Sequence, residues 1–550
     1  MSRSVGAPRP IAEVAESLGL GPDDWQPFGH GVAKVDPGVC QRNASRFPHP
    51  RLILVSAITP TPAGEGKTTT SIGLAQGLTK IGESVCLALR EPSLGPIFGM
   101  KGGATGGGKS QLVPADRINL HFTGDFHAVT AAHNLLSAHL DNHIYFDNKL
   151  RIDPRRIVWR RVMDMNDRAL RNLIVGLGGH KQGVPRETGF DITAASEIMA
   201  MLCLADDEDD LRARIQRTLV AFTYDGEPVT AEQLEAAGAM LALLRDALWP
   251  NLVQTTEGTP ALVHGGPFAN IAHGCNSVLA TRTALHLAEW VVTEAGFGFD
   301  LGAEKFFDIK CRQSGFDTCA VVLVATIRAL KMHGGKGLKQ LAEPDVEAVI
   351  QGMPNLEKHI ENIHCFGERP IVALNRFAAD TDEEIAAVRQ RCGELGVPIA
   401  VTDHFARGGD GAVELAQAVV THAEQHARPF KPLYDLEMPV TDKIRAVAQA
   451  MYGARDVVLT KEAKRDLRDI ERLGFDRLPI CIAKTPASLT DDPKRVGRPT
   501  EFDVTVRNLQ INAGAGFLVV LTGEILRMPG LPRIPRSSEL DVKDGEIVGL

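Results

Sequence analysis

The sequence has no long hydrophobic run. Its longest apolar stretches, such as 319–327, cover about nine residues, whereas a membrane-spanning helix needs about 20. The N-terminal segment also lacks the apolar core of a secretory signal. These absences predict a protein with neither a membrane span nor an export signal.

Cysteine pairs and an excess of basic residues are missing as well. The nine cysteines are scattered, and no two form a Cys-x-x-Cys pair, which fits reduced thiols and disfavours a disulfide framework or a zinc site. Lys and Arg number 60 against 68 Asp and Glu, a net charge of −8, which disfavours a nucleic-acid-binding protein. We therefore expect a cytoplasmic protein that binds neither nucleic acid nor membrane.

The composition is that of a globular protein with several folding units. Of the 550 residues, 44% are hydrophobic and 23% charged, and the length predicts about three or four units. Apolar runs rich in β-formers alternate with helical stretches such as 70–81 and 382–395, which predicts an α/β fold: a mainly parallel sheet flanked by helices. Ligands of such sheets bind beyond the carboxyl ends of the strands. The predicted strands are 51–58, 84–89, 261–264, 290–294, 320–325, 370–375 and 397–401.

A phosphate-binding loop follows the first of these strands. The segment TPAGEGKTTT (61–70) follows the pattern G-x-x-x-x-G-K-[ST], in which backbone N–H groups and lysine hold phosphates and a hydroxyl binds Mg²⁺. Thr61 replaces the leading glycine. The alternative is a glycine-rich turn with an incidental lysine. The residues predicted to bind ATP, with Thr68 also on Mg²⁺, are Thr61, Pro62, Ala63, Gly64, Glu65, Gly66, Lys67 and Thr68.

Arg90 ends the next predicted strand and should lie beside this loop. Its planar guanidinium suits a γ-phosphate or an acyl phosphate; the alternative is an ion pair with a carboxylate. The glycine cluster GMKGGATGGGK (99–109) follows. It is either a flexible surface loop or a backbone cover that approaches a ligand closely.

Two further polar residues are candidates for the cleft. Asp125 precedes a helix, where a carboxylate could orient the water shell of Mg²⁺ or steer a substrate amine. His264 stands at a strand end before two glycines; the alternative is a structural histidine.

Seven segments, taken in order, resemble the formate–tetrahydrofolate ligase (formyltetrahydrofolate synthetase) family. They are TPAGEGKTT, LREPSLGPIFG, KGGA-x-GGG, LHFTGDFHA, VHGGPFANIAHGCNS, VATIRALKMHGG and AGAGFLVVLTGEILRMPGLP, and they cover the chain from about residue 30 onward. The resemblance implies ATP-dependent formylation of tetrahydrofolate at N10, through formyl phosphate. It also implies a cytoplasmic homotetramer that a monovalent cation (K⁺ or NH₄⁺) activates.

The resemblance also implies roles for the candidate residues. Lys67, Arg90 and Mg²⁺ would neutralise the transferring phosphoryl group. His264 and Arg90 would donate to the tetrahedral oxyanion that forms when the amine attacks the formyl carbon. Glu91 resembles the family's ligand for the monovalent cation.

The folate residues follow from the same resemblance, because the family stacks the pterin between aromatic rings. The segments NRFAADT and DHFARGGDG offer Phe377 and Phe405; core packing is the alternative for each. The family usually has Trp at the second position, which puts folate affinity in question. Lys109 replaces the usual Tyr and adds charge, either for a polyglutamate tail or as a surface lysine.

The expected units are a P-loop ATP and formyl-phosphate domain (1–355), a folate-side α/β domain (356–455) and a C-terminal α+β domain (456–550).

Two other functions compete with this interpretation. One is a different ATP-dependent ligase that activates a carboxylate or CO₂. The other is a P-loop protein of the partitioning type, which uses ATP to dimerise. Proteins of that type normally carry an additional lysine near the start of the loop, where this chain has Pro62.

Overall fold

A sheet of twelve strands forms the centre of the protein. The computed structural model describes residues 8–425, 429–523 and 525–550. The strands of the central sheet are β1 (Trp25–Pro27), β2 (Ala33–Val35), β3 (Arg51–Ala57), β4 (Val85–Leu89), β5 (Gly106–Gly107), β6 (Ser110–Val113), β7 (Asn251–Thr255), β8 (Pro260–Val263), β9 (Trp290–Glu294), β10 (Ala320–Ala325), β11 (Pro370–Asn375) and β12 (Ile399–Thr402).

The strand order is β1-β2-β7-β8-β4-β9-β3-β10-β11-β12, and the hairpin β5–β6 joins the sheet through β6 and β7. The seven strands from β8 to β12 run parallel. Strands such as β10 are buried along their whole length, as expected where helices cover both faces of a parallel sheet. The predicted α/β class is confirmed, and every predicted strand lies within two residues of an observed one.

Thirteen α-helices of seven or more residues occur in the described part of the chain. They are α1 (Ile11–Ser17), α2 (Lys67–Lys80), α3 (Asp125–Tyr145), α4 (Glu197–Leu204), α5 (Glu208–Gln216), α6 (Ala237–Leu244), α7 (Val278–Leu287), α8 (Ile327–His333), α9 (Val346–Cys365), α10 (Asp382–Glu394), α11 (Val413–Gln425), α12 (Val440–Val447) and α13 (Lys461–Arg472). Helix α10 begins with a capping box between Thr381 and Glu384, in which each side chain accepts a hydrogen bond from the backbone N–H of the other residue.

Shorter elements connect these helices and strands. Short α-helical turns are Val39–Arg42, Leu94–Pro96, Ala115–Asn119, Arg312–Ser314 and His404–Arg407, and π-helical turns are Ile97–Lys101, Phe299–Ala303, Phe306–Cys311 and Ala448–Tyr452. Small strand pairs or triplets are Leu173–Val175 with Arg186–Thr188, Arg161–Met163 with Phe190–Ile192, Ile152–Ile157 with Leu219–Thr223 and Pro228–Thr230, and Asp541–Lys543 with Glu546–Val548.

A second sheet near the C-terminus lies between two cores. Its strands, in the order β13-β15-β16-β14, are β13 (Asp456–Leu459), β14 (Ile480–Ala483), β15 (Asp503–Asn512) and β16 (Phe517–Thr522). Ile480 and Leu518 pack in the core of the central sheet. Cys481 and Phe517, which alternate with them along the strands, pack against α3 and α4. A buried ion pair of 2.9 Å between Lys484 and Asp300 joins this sheet to the rest of the chain.

All nine cysteines are free thiols, as predicted. In the part of the chain that the structure describes, no helix is long and apolar enough to cross a membrane.

Candidate active site

The carboxyl ends of the seven parallel strands meet at one edge of the sheet, and each is followed by a candidate side chain. Because β3 lies between β9 and β10, the phosphate loop occupies the middle of this edge. The residues concerned are His264 after β8, Arg90 after β4, Glu294 at the end of β9, the loop 61–68 after β3, Thr326 and Arg328 after β10, Asn375 at the end of β11, Phe377 after β11, and Phe405 after β12.

The loop itself is built around two glycines. Gly64 and Gly66 have φ angles of +77° and +76°, which strain any other residue. A Cβ on Gly66 would also lie 2.7 Å from the side-chain nitrogen of Asn375. Lys67 begins α2 directly after Gly66, so the N–H groups of the first helical turn face the loop. This geometry suits phosphate.

Glu65 holds the loop from inside. Its side chain is fully buried, and its Oε1 accepts a hydrogen bond of 2.7 Å from the N–H of Thr61. Its Oε2 accepts from the hydroxyl of Thr326. Asn375 donates to the Glu65 carbonyl over 3.1 Å. Thr61 has no positive φ, so the usual leading glycine is not needed here.

Glu294 joins the loop to Arg90. Its Oε2 accepts a 2.8 Å hydrogen bond from the hydroxyl of Thr68, and its Oε1 lies 3.5 Å from Nη2 of Arg90. The ion pair considered for Arg90 is therefore present. Arg90 also donates to the carbonyl of Pro267 over 3.4 Å, while its buried Nε has no hydrogen-bond partner among the residues that the structure describes. The guanidinium thus lies between the strand ends beside the loop.

The donor set next to the loop fits Mg²⁺. Thr68 and Glu294 supply a hydroxyl and a carboxylate oxygen, the hard ligands that Mg²⁺ prefers. Among the residues described, no three His, Cys, Asp or Glu side chains converge as a metal site. Mg²⁺ is usually held by one or two protein oxygens together with phosphates and water.

Glu91 and Asp125 form a second polar cluster with Lys34. The ammonium of Lys34 lies 2.8 Å from Oδ1 of Asp125, and Asn251 donates to Oδ2 over 2.8 Å. Burial, followed by the charge of Asp125, raises the pKa of Glu91 well above its usual range. Within the described part of the chain, Glu91 Oε2 is buried without a hydrogen-bond partner. Such a carboxylate oxygen fits a monovalent cation, which would favour the ionised form.

His264 is fully buried, and protein groups occupy both ring nitrogens. Nε2 lies 2.6 Å from the carbonyl of Ala247 and so carries the proton, while Nδ1 accepts from the hydroxyl of Ser277 over 2.6 Å. Burial lowers the pKa of His264 to about 4, which keeps the ring neutral. In this arrangement His264 ties β8 to the start of α7 and offers no free N–H to an oxyanion.

The glycine cluster becomes a hairpin at its C-terminal end, so this part is not an irregular surface loop. The N–H of Lys109 donates to the carbonyl of Phe405 over 2.9 Å. A Cβ on Gly108 would collide with that carbonyl, and one on Gly107 would lie 3.0 Å from the Phe405 ring. The close approach that these glycines allow is therefore to the protein's own backbone. Lys109 itself is exposed.

Phe377 and Phe405 lie beyond neighbouring strands at the same edge. Phe405 is 58% exposed, which excludes the core-packing alternative for it. Phe377 is partly buried, and the guanidinium carbon of Arg328 lies 4.2 Å from its ring centroid. Two aromatic rings thus lie at the edge of the sheet that carries the phosphate loop.

Comparison with known proteins decides the family. A sequence model described as formate–tetrahydrofolate ligase matches residues 2–550. The formate–tetrahydrofolate ligase of Symbiobacterium thermophilum is 58% identical over 543 residues, which cover 98% of this chain and 97% of that protein. The chain belongs to the formate–tetrahydrofolate ligase family. The resemblance found in the motifs is confirmed, and the activity is the ATP-dependent ligation of formate to tetrahydrofolate.

Four polar residues at this edge escaped the sequence analysis: Glu294, Thr326, Arg328 and Asn375. Glu294 ends a strand that was predicted correctly, so the strand-end rule could have singled it out. Arg328 lies in the first turn of α8, where the helix dipole disfavours a cation. A basic residue in the first turn of a helix therefore indicates that its side chain contacts a specific group outside the helix.

Proposed function

We propose that the ligation proceeds through formyl phosphate at the edge where the phosphate loop, Arg90 and Glu294 meet. A nucleotide-binding loop beside an arginine at the next strand end supports this route most directly. The loop between β3 and α2, at the middle of a parallel sheet, also supports placing the fold among P-loop NTPase-like architectures.

In the first step, a formate oxygen attacks the γ-phosphorus of ATP and ADP leaves, giving a mixed anhydride. The transition state spreads negative charge over the transferring phosphoryl oxygens, so positioning and positive charge provide most of the catalysis. Lys67 and the loop N–H groups hold the phosphates, and Arg90 contacts the acceptor side. Mg²⁺ held by Thr68 and Glu294 would neutralise further phosphate charge.

In the second step, the N10 amine attacks the formyl carbon, phosphate leaves with the anhydride oxygen, and the amine loses its proton. The tetrahedral oxyanion needs a donor close by. Arg90 suits this role because its guanidinium lies beside the loop and 22% of its side chain is exposed. The predicted contribution of His264 requires its ring to leave Ala247 or Ser277. Asp125 acts by holding Lys34 beside Glu91.

The remaining assignments belong to the same proposal. Glu91 would hold the monovalent cation, K⁺ or NH₄⁺, and Phe377 and Phe405 would stack on the pterin. A cytoplasmic homotetramer and the three-unit division at 355 and 455 stay predictions. The start of the C-terminal sheet at Asp456 supports the second boundary.

Release of ADP tests the proposed reaction. Measured with formate alone, with tetrahydrofolate alone and with both, steady turnover is expected only with both substrates. Turnover with another carboxylate or CO₂ would favour the rival ligase, and ATP hydrolysis without either substrate would favour a partitioning-type protein.

Arg90→Lys is expected to lower kcat and leave the KM for ATP nearly unchanged. Lysine keeps the charge but cannot bind an oxyanion with two parallel N–H donors. The measurement is steady-state kinetics with ATP as the varied substrate. A rise in the KM for ATP with full kcat at saturation would assign Arg90 to the nucleotide instead of to formyl phosphate.

Phe405→Ala is expected to raise the KM for tetrahydrofolate and to leave the KM for ATP and the Tm nearly unchanged. Loss of one aromatic ring from a base stack costs roughly 1–3 kcal/mol, about five- to 150-fold in affinity. Phe405→Trp, which restores the usual residue of the family, should be tolerated or tighten folate binding. An unchanged folate KM in both variants would mean that the pterin stacks elsewhere.

A further inference from the structure

We infer that Arg328 is a positioning residue that couples the nucleotide loop to Phe377, so that nucleotide and tetrahydrofolate strengthen each other's binding. The inference rests on the folate role proposed for Phe377. It concerns the segment VATIRALKMHGG, to which the proposed chemistry assigns no role.

Arg328 reaches the nucleotide loop with one edge of its guanidinium. Nη2 donates to the carbonyl of Gly64, and Nε lies 3.9 Å from Oε2 of Glu65. The Glu65 carboxylate is itself fixed by Thr61 and Thr326. These partners explain why a cation is tolerated in the first turn of α8, and they fix the guanidinium relative to the loop.

The flat face of the same guanidinium lies against Phe377. The distance of 4.2 Å from its carbon to the ring centroid is well within the range of a cation–π contact. The N–H of Phe377 donates to Oδ2 of Asp380 over 2.7 Å, which holds the backbone beside the ring. Arg328 covers one face of the ring, so a pterin would stack on the other.

One side chain therefore contacts both binding sites. A nucleotide that binds the loop N–H groups fixes the backbone that carries the Gly64 carbonyl. This in turn fixes the guanidinium and the ring beneath it, so tetrahydrofolate meets an ordered Phe377. Because coupling between two ligands is reciprocal, bound tetrahydrofolate must tighten nucleotide binding by the same factor.

Calorimetry on the full chain tests the coupling. The Kd of tetrahydrofolate is measured with and without a non-hydrolysable ATP analogue and Mg²⁺. In the unchanged protein the analogue is expected to lower this Kd at least about fivefold. Arg328→Met keeps much of the side-chain volume but removes the N–H donors and the charge. In this variant the coupling factor, by which the analogue lowers the Kd of tetrahydrofolate, should fall close to one.

Arg376→Met is the matched control. Arg376 precedes Phe377 on the same loop but is exposed and pairs loosely with Asp382 at 3.4 Å, so its loss should leave the factor unchanged. Arg328→Lys serves if the methionine variant does not fold. Lysine keeps the charge but lacks the planar fork, and most of the factor should still be lost.

Phe377→Leu separates the coupling from the folate assignment. It should weaken tetrahydrofolate binding even without nucleotide, and unchanged binding would overturn the folate role of Phe377. If that role holds, a factor near one in the unchanged protein, or an undiminished factor in the folded Arg328 variants, would overturn the coupling.

Discussion

Lys67→Ala is expected to lower kcat at least about 100-fold, since a lost contact to transition-state charge typically costs a few kcal/mol. Lys67 is the first residue of α2, directly after the two glycines that shape the loop. Alanine is a good helix former, so the fold should persist. The measurement is the steady-state rate of ADP formation with both substrates saturating.

Lys80→Ala is the control for this prediction. Lys80 ends the same helix, 42% of its side chain is exposed, and it contacts Glu257 and Asp410 at the surface. Its loss should change kcat little. Near-normal activity in a folded Lys67→Ala protein would rule out the assignment of the phosphate loop.

Glu294→Ala is expected to lower kcat by about 100-fold, because the Glu294 carboxylate accepts the hydrogen bond of the Thr68 hydroxyl and pairs with Arg90. Glu294→Gln keeps an oxygen for the hydroxyl but lacks the charge. If Glu294 also binds Mg²⁺, the glutamine variant should stay slow and require more Mg²⁺ for half-maximal rate. The measurement is kcat as a function of Mg²⁺ concentration.

Glu289→Gln tests whether position on the strand matters. Glu289 precedes β9 at its opposite end, away from the loop, and this substitution should leave the Mg²⁺ dependence unchanged. Full activity of Glu294→Gln at the Mg²⁺ concentration that the unchanged protein needs would mean that Glu294 only accepts a hydrogen bond from Thr68 and does not bind Mg²⁺.

The sequence predicted the elements of the sheet well because their signals are local. Strands 290–294, 320–325 and 370–375 each contain an apolar run that favours β-structure, and the structure places them at the same bounds. The glycines and lysine of the phosphate loop are a local signal of the same kind.

The arrangement of side chains at the strand ends could not be predicted in the same way. The order of the strands in the sheet places Glu294 between Thr68 and Arg90, and no local sequence pattern predicts that order. His264 fits the strand-end rule, yet Ala247 and Ser277 take up both of its ring nitrogens. The partners of Arg328 lie more than 200 residues earlier in the loop and about 50 residues later, at Phe377.

The position of β9 between β3 and β4 constrains how the protein is made. Strand β4 leaves the ribosome about 200 residues before β9 does, and β3 leaves it still earlier. Neither can pair with β9 until then. A nascent chain that ends before Glu294 therefore carries the phosphate loop and Arg90 without the strand that brings them together. Such long-range pairing slows folding, and until β9 arrives, apolar strand edges stay open to misassembly.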